Sequence, residues 1–270
     1  MIMNKRILLT CLFLLTTTAL SEANLPDDQI YSLYSQANQH FRQGNAAKDS
    51  EEAERHYEKA ILSFERIIDE GGIENVKLYY NLANAYFLRG QLGRAILNYR
   101  RAENLDDSDE NVQKNLTFAR SKRIDKIATK TEKRILQTLF FWHYDVSVKT
   151  KFLLTCIFWA ILCICITGIL WFGRSTTWIV PAIICGILTL CFLVSVVVEY
   201  RTRVNKVCGV IMAKEVAAHQ GDGVNYPLSF KEPLHEGTEF DLIENRPGWL
   251  HIRLSDGSDG WIIEDSAELI

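Results

Sequence analysis

The chain of 270 residues lacks the short motifs that mark the commonest catalytic sites. It contains no HExxH motif, no GxSxG motif, no phosphate-binding P-loop and no dinucleotide-type glycine pattern. The six histidines are scattered, and the carboxylates fall on segments that we expect to be solvated helix faces and turns. We therefore expect a protein that is not an enzyme.

Cysteines at metal-binding spacing are also missing. The sequence has seven cysteines, of which Cys11 lies in the N-terminal apolar stretch and only Cys208 lies in a polar segment. No CxxC pair exists, and no His/Cys spacing suits zinc. Since a free cysteine behaves as a small apolar residue, we expect the others to pack inside a membrane, and we expect neither a metal nor a cofactor.

Charge is absent from two long apolar runs, Phe152 to Phe172 and Thr176 to Val198. A helix rises about 1.5 Å per residue, so roughly 20 residues cross a hydrocarbon core about 30 Å thick. Backbone groups in lipid must be paired within their own segment, which predicts that each run is a helix. The short link Gly173-Arg174-Ser175 predicts a transmembrane hairpin, with both polar flanks on one side of the membrane.

The N-terminus resembles a secretory signal peptide over residues 1–23. Lys5 and Arg6 precede a short apolar core, and small Ser21 and Ala23 precede the expected cleavage point. An uncleaved anchor is the alternative, and either would export the chain that follows. The positive-inside rule points the other way, because Lys/Arg residues are concentrated on the outer flanks of the two runs. We give priority to the N-terminal signal, since the first segment usually sets orientation.

Residues 76–109 show the spacing of two antiparallel helices. Apolar residues recur at helical intervals before and after Gly90, which is expected to end the first helix. The 34-residue pattern resembles a tetratricopeptide repeat, with Asp107 where the family usually has proline. The matching positions are Tyr79, Leu82, Ala83, Tyr86, Ala95, Tyr99 and Ala102.

A degenerate second copy lies upstream, where residues 37–44 align with residues 83–90. Eleven extra residues before Ala60 are expected to lengthen one or both helices of this copy. A helix over residues 110–120 is expected to cap the stack, because such repeats cannot bury their apolar faces alone. These observations predict an α-helical tetratricopeptide-repeat domain over residues 24–120.

The repeat resemblance implies a peptide-binding groove lined by the first helix of each repeat. Asn38 and Asn84 occupy equivalent positions, where the family often hydrogen-bonds a bound peptide's backbone or terminal carboxylate. Lys77, Tyr80 and Asn81 flank the same surface. An amide suits this role because it both donates and accepts. The alternative is that these are ordinary solvated polar residues.

Residues 121–151 are rich in Lys and Arg, with isoleucines at helical spacing. This pattern predicts a basic amphipathic helix against anionic lipid, with aromatic residues at the membrane interface. The alternatives are a continuation of the helical stack and, least favoured, nucleic-acid binding, so no nucleic-acid partner is expected. The expected interface residues are Phe140, Phe141, Trp142 and Tyr144.

Residues 204–270 change to short alternating runs punctuated by Gly, Asp and Pro, which predicts a small all-β unit. The segments HEGTEFDLIE, GWLHIRLSDG and GWI resemble a bacterial SH3-like barrel. That resemblance implies a ligand face, for which Tyr226, Trp249 and His251 are the candidates. His251 is expected to face outward, and Trp261 is expected to pack in the core.

The order of these segments, a signal peptide, helical repeats, a membrane hairpin and an SH3-like unit, resembles that of the tetratricopeptide-repeat/SH3 proteins of the Bacteroides aerotolerance (Bat) group. The fold class is thus a multidomain membrane protein with helical repeats, a two-helix transmembrane hairpin and a small SH3-like barrel. The resemblance implies a scaffold whose partners are membrane proteins with a von Willebrand factor A domain and a MoxR-type ATPase. The N-terminal signal and the hairpin together predict a two-pass protein of the bacterial inner membrane, with both soluble domains extracytoplasmic. The alternative is a peptidoglycan-binding envelope protein that assists cell-wall assembly.

Overall fold

The computed structural model describes residues 25–128, 138, 140–144 and 146–270. The predicted signal peptide, residues 1–23, lies outside the described residues. The chain divides into two compact units, with the boundary between Glu74 and Asn75. This boundary falls inside the segment predicted as one repeat domain, residues 24–120.

The first unit contains two antiparallel helices, α1 (Asp27–Ala46) and α2 (Ser50–Asp69). The Asp49 carboxylate accepts a hydrogen bond from the Glu52 amide at 3.2 Å and so caps the start of α2. Gly44 allows close packing, because a Cβ there would lie 2.6 Å from the ring of Tyr57. Both helices have 20 residues, so the extra residues of this copy lengthen both of them.

The second unit begins with three helices, α3 (Val76–Leu88), α4 (Leu92–Leu105) and α5 (Glu110–Ser121), which we call the helix stack. Gly90 has a φ of 81°, a left-handed conformation that favours glycine, and it reverses the chain between α3 and α4. The two helices bury their small and aromatic residues against each other. The buried residues of this pair include Tyr79, Leu82, Ala83, Tyr86, Ala95, Tyr99 and Ala102.

A short helix, α6 (Phe141–Tyr144), precedes two long ones, α7 (Val148–Phe172) and α8 (Thr176–Asn205). The long pair forms an antiparallel hairpin, in which Phe158 stacks on Phe192 at a centroid distance of 6.0 Å. Both helices are long and apolar enough to cross a membrane, and most of their apolar side chains are exposed. They extend beyond the apolar runs, by four residues at the start of α7 and by seven at the end of α8.

The C-terminal part is a five-stranded antiparallel sheet in the order β6-β5-β4-β1-β7, with a separate β2-β3 pair. A bulge between Leu242 and Glu244 shifts the register of β4 against β5. One face of the sheet carries the apolar core, which includes Ile211, Phe240, Leu250, Ile252 and Ile262. The strands are β1 (Cys208–Ile211), β2 (Glu215–Val216), β3 (Leu234–His235), β4 (Glu239–Arg246), β5 (Trp249–Arg253), β6 (Asp259–Ile263) and β7 (Ala267–Leu269).

The helix stack packs directly on the sheet. Gly93 at the start of α4 is required there, because a Cβ would lie 2.7 Å from the main-chain oxygen of Ile211. The Gly93 amide donates to the Glu236 carboxylate at 2.8 Å. A carboxylate at a helix N-terminus is favoured by the free amides and by the helix dipole. The stack and the sheet therefore form one packed structure on the same side of the hairpin.

The predicted basic helix over residues 121–151 is wrong for residues 123–128, which are not helical. This segment docks on the sheet through Asp125, whose carboxylate accepts from the His235 amide at 2.7 Å and from the Thr238 hydroxyl at 2.6 Å. Burial raises the pKa of Asp125, but these hydrogen bonds outweigh it and hold the pKa below its ordinary value. Ile127 packs against the sheet core. Residues 129–137 lie outside the described residues.

Candidate functional site

The predicted peptide-binding residues of the second unit share one face of α3. Lys77 is exposed, whereas Tyr80, Asn81 and Asn84 are half-buried. Tyr80, Asn81 and Asn84 follow Lys77 by three, four and seven residues, which places all three on the side of the helix that carries Lys77. The structure therefore brings these four predicted residues together on one surface, which we call the α3 face.

Asn84 is held by a hydrogen-bond network that the sequence did not reveal. Its Oδ1 accepts from the Tyr99 hydroxyl at 2.5 Å and from Asn115 Nδ2 at 2.8 Å. Asn115 Nδ2 also donates to the Tyr80 hydroxyl at 3.0 Å. Burial raises the pKa of Tyr99, so its phenol remains a neutral donor. The oxygen of the Asn84 amide is thus used inside the protein, which leaves its Nδ2 group as the part that a ligand could engage.

This network corrects the expectation that Asn84 offers both a donor and an acceptor to a ligand. Among the described residues, Asn84 Nδ2 makes no hydrogen bond, so the α3 face presents donors: this amide and the Lys77 ammonium. Such a surface suits carbonyl or carboxylate oxygens. Asn115 could have been found from the sequence, since it stands sixth in α5 as Asn81 stands sixth in α3.

Asn38, the other predicted groove residue, lies on α1 in the first unit. It is half-buried, and its Nδ2 donates to the main-chain oxygen of Tyr34 at 2.8 Å. A side chain that bonds the preceding turn of its own helix has one donor fewer for a ligand. Asn38 and Asn84 are therefore equivalent in sequence pattern but differ in how their amides are engaged.

The outer face of the sheet carries the residues predicted for ligand binding by the barrel. His251 stacks on Trp261 with centroids 4.7 Å apart, and its Nε2 lies 2.9 Å from Asp259 Oδ2. The Arg246 guanidinium lies over the same tryptophan, 4.7 Å from the ring centroid. Trp261 is buried as expected, but beneath these two side chains and on the face opposite the core residue Ile262.

Tyr226 and Trp249 lie near the group formed by His251, Arg246 and Trp261, which we call the Trp261 layer. Trp249 is half-buried and meets the edge of His219 at 5.8 Å. Tyr226 has 51% of its surface exposed, and its main-chain oxygen lies 2.9 Å from His219 Nδ1. Of the three predicted ligand-face residues, Tyr226 offers the most open ring, whereas His251 is occupied by Trp261 and Asp259.

Arg246 links the Trp261 layer to the loop that contains Asp222. It pairs with Glu244 and Asp222, both at 2.8 Å. The hydrogen bond that Arg246 donates to Glu244, and then the one it donates to Asp222, raise the pKa of Arg246. The guanidinium is therefore held in place over Trp261 by two carboxylates.

The predicted interface aromatics lie beside the base of the hairpin. Phe140 is exposed and packs edge-on against Trp142 at 5.4 Å, whereas the side chains of Phe141 and Tyr144 lie outside the described residues. Next to them lies an ion pair between buried Lys151 of α7 and Glu199 of α8, which the sequence analysis did not predict. The Lys151 ammonium also donates to the His143 main-chain oxygen at 2.6 Å, which ties α6 to both long helices.

A second tie joins the helix stack to the start of α7. The Asp107 carboxylate accepts from the Val148 amide at 3.1 Å, and Asp106 pairs with Lys149 at 2.5 Å. Asp107 is the residue that stands where the repeat family usually has proline. Its carboxylate occupies the positive end of α7, which gives a physical use for that departure.

Compared with protein-family models and with curated protein sequences, the chain matches none of them. Within the described residues, no group of three or more His, Cys, Asp or Glu side chains is arranged to hold a metal ion.

Proposed function

We propose that this chain is a non-enzymatic adaptor anchored in a bacterial inner membrane. Helices α1 to α5 act as tetratricopeptide repeats, α7 and α8 span the bilayer, and the sheet acts as an SH3-like module. The observation that carries the proposal is the antiparallel hairpin, in which Lys151 meets Glu199 at one end and Phe172 stacks on Trp178 at the other. Both polar parts of the second unit leave the hairpin at the Lys151 end.

The α3 face would bind an extended segment of a partner protein. Its donors, Nδ2 of half-buried Asn84 and the exposed Lys77 ammonium, suit main-chain carbonyls or a carboxylate of that segment. The resemblance to the Bat group makes membrane proteins with a von Willebrand factor A domain, working with a MoxR-type ATPase, the partners we propose. The complex would act in tolerance of envelope stress.

The test is co-purification of partners with the full chain from membranes. Asn84→Asp keeps the oxygen that Tyr99 and Asn115 need but removes the Nδ2 donors, so we expect loss of the partner without unfolding. Lys77→Gln should weaken capture further. Lys114→Gln on α5 is the matched control, since Lys114 is exposed and pairs only with Glu110 in its own helix. Equal capture by wild type and Asn84→Asp would show that the α3 face is not the partner site.

A peptidoglycan-binding envelope protein is the second candidate, and exposed Tyr226 beside Trp249 favours it. Aromatic rings commonly stack on the apolar faces of ligands. Tyr226→Ala should then abolish retention of the full chain on purified peptidoglycan, while Asn84→Asp retains it. If Tyr226→Ala does not change retention on peptidoglycan, the peptidoglycan-binding function is ruled out.

The orientation is tested with alkaline phosphatase fused after Arg120 and, separately, after Ile270. Activity at both positions would support the extracytoplasmic orientation that the N-terminal signal predicts. Inactivity at both would favour the cytoplasmic side, as the positive-inside rule suggests. Activity at one position alone would contradict the hairpin arrangement.

A further inference from the structure

A cavity of about 310 Å³ lies between the helix stack and the sheet. Its walls come from α4, α5, the segment after α5, Lys206 directly after α8, and strands β1, β4 and β5, all within the second unit. Five cationic side chains line it: Arg100, Arg120, Arg123, Lys206 and Arg253.

The carboxylates at this cavity do not balance its cations. Glu239 accepts from Arg120 at 2.7 Å through both oxygens and pairs with Arg123 at 3.1 Å and with Arg100 at 3.4 Å. Asp241, the other lining carboxylate, pairs with Lys206 at 2.8 Å. Five cations thus face two acidic side chains.

Other carboxylates nearby do not remove this excess. Arg100 has a further partner in Glu103, and Asp125 acts electrostatically on Arg123 from outside the cavity. An excess of positive charge remains when both are counted. Partly enclosed positive charge attracts anions strongly, because the low-dielectric walls screen it less than bulk water does.

Arg253 is the cation with no counter-charge of its own. It lies on β5 opposite Asp241 of β4, but Asp241 pairs with Lys206 instead. Among the described residues, Arg253 makes no ion pair and no side-chain hydrogen bond, and it is exposed at the cavity. Arg123 donates through Nε to the main-chain oxygen of Arg120 and through Nη1 to Glu239, and among the described residues its Nη2 makes no hydrogen bond. Two guanidinium groups therefore have donors to offer.

The position of the cavity along the chain suggests where an anion would come from. The part of α8 able to cross a membrane ends at Thr202, and Lys206 follows four residues later. At about 1.5 Å per residue this is roughly 6 Å, the depth of lipid headgroups next to the hydrocarbon core. This step alone rests on the proposed membrane anchor.

We propose that this cavity binds a phosphate group between Arg253 and the arginines at Glu239. Guanidinium donors form a planar fork that matches phosphate oxygens, and they keep their charge when partly buried. The phosphate comes from an anionic phospholipid headgroup or from free phosphate in solution. Binding would fix the helix stack and the sheet to each other at the membrane surface.

The experiment measures inorganic phosphate binding to the full chain in neutral detergent micelles by ³¹P NMR. Arg253→Gln should weaken binding about tenfold, as expected for the loss of one charge-assisted hydrogen bond. Its thermal unfolding should match wild type, because Arg253 has no partner to lose. The matched control is Arg201→Gln, which removes an exposed positive charge near the end of α8 that does not line the cavity.

A parallel arm uses nanodiscs of phosphatidylcholine with or without phosphatidylglycerol, followed by native mass spectrometry of the lipids retained. Phosphate binding that Arg253→Gln weakens and Arg201→Gln does not supports the site with a soluble anion. Selective retention of phosphatidylglycerol with the same dependence supports it with a lipid. The proposal is overturned if neither anion binds, or if both substitutions have equal effects, which would indicate general surface attraction. The micelle arm does not depend on the adaptor function, so the two can fail separately.

Discussion

The hairpin and the helix stack are both helical, but they distribute polarity in opposite ways. In the hairpin, Leu170 and Trp171 are 77% and 81% exposed, whereas Lys151 is 1% exposed. In the helix stack, Leu82 and Tyr86 are buried, whereas Lys114 faces solvent. This distribution fits the proposed placement of the hairpin in a membrane and of the stack in water.

This difference changes what an exposed residue means in each region. The exposed apolar side chains of the hairpin would cost free energy if they faced water. Against lipid tails, which are equally apolar, their exposure costs nothing. Packing between the hairpin helices depends on close contact and on polar groups, as where Gly168 admits the Trp178 ring. In the stack, burial of apolar surface supplies the stabilisation, at about 25 cal/mol per Å².

A large contrast in stability is expected between two ion pairs. Glu199→Gln would leave the Lys151 charge buried without its partner, at a cost of about 3 kcal/mol. Glu110→Gln in α5 breaks the ion pair with Lys114. The side chains of Lys114 and Glu110 are 71% and 83% exposed, so this substitution should cost under about 0.5 kcal/mol. Thermal unfolding in detergent micelles measures both. Similar losses would mean that the Lys151 pair is solvated.

A second contrast uses the same substitution at two leucines. Leu82→Ala in α3 removes a buried side chain and should destabilise the protein by about 2–5 kcal/mol. Leu170→Ala in α7 removes one that faces outward from the hairpin, and we expect no change within about 0.5 kcal/mol. Thermal unfolding of both variants in lipid nanodiscs provides the measurement. A large loss from Leu170→Ala would indicate that this face packs on another protein.

Acid should weaken the tie where the two regions meet. A hydrogen bond from Lys149, then one from Ser108, lowers the pKa of Asp106 to about 2. Because the folded pKa lies below the ordinary value of about 3.9, this stabilisation is complete above pH 4 or so and is lost as the pH falls through about 2.

Asp106→Asn should remove that dependence. The difference in stability between wild type and Asp106→Asn, followed by thermal unfolding between about pH 5 and pH 2, should shrink toward acid. Asp256→Asn serves as the control, since the Asp256 carboxylate bonds only Ser258 within its own turn. A constant difference across this range would mean that Lys149 does not hold Asp106 in solution.

Labelling of cysteines compares the surroundings of the hairpin and the helix stack with almost no effect on stability. Cys156, Cys163 and Cys191 are exposed on the hairpin, yet in vesicles they should resist a water-soluble maleimide, because a polar reagent does not enter the hydrocarbon core. Lys114→Cys on the stack should label rapidly in the same preparation. Fast labelling of the hairpin cysteines would contradict a membrane location.

The sequence predicted the elements well where a single physical rule dominates. Two charge-free runs predicted α7 and α8, because length and polarity alone decide whether a segment can cross a bilayer. Recurring small and aromatic residues around Gly90 predicted α3 and α4. The match of these elements to the tetratricopeptide and SH3-like families stays a prediction.

Prediction failed where long-range contacts decide local structure. Basic residues after Ser121 suggested a helix on lipid, but Asp125 pairs with His235 and Thr238, more than 100 positions away in sequence. The candidate site was predicted only in part for the same reason. Helical spacing placed Lys77, Tyr80, Asn81 and Asn84 on one face, but it gave no sign that Tyr99 and Asn115 occupy the Asn84 oxygen.

The sequence by itself determined the helical hairpin, the helix pairs and the alternating strands, since each depends on periodicity or polarity within a short segment. Tertiary structure decided how the charged residues pair. Glu239 meets Arg100, Arg120 and Arg123, and Lys151 meets Glu199, only after distant segments come together. Charge attraction acts through space rather than along the chain, so these contacts and the cation-lined cavity could be seen only in the folded protein.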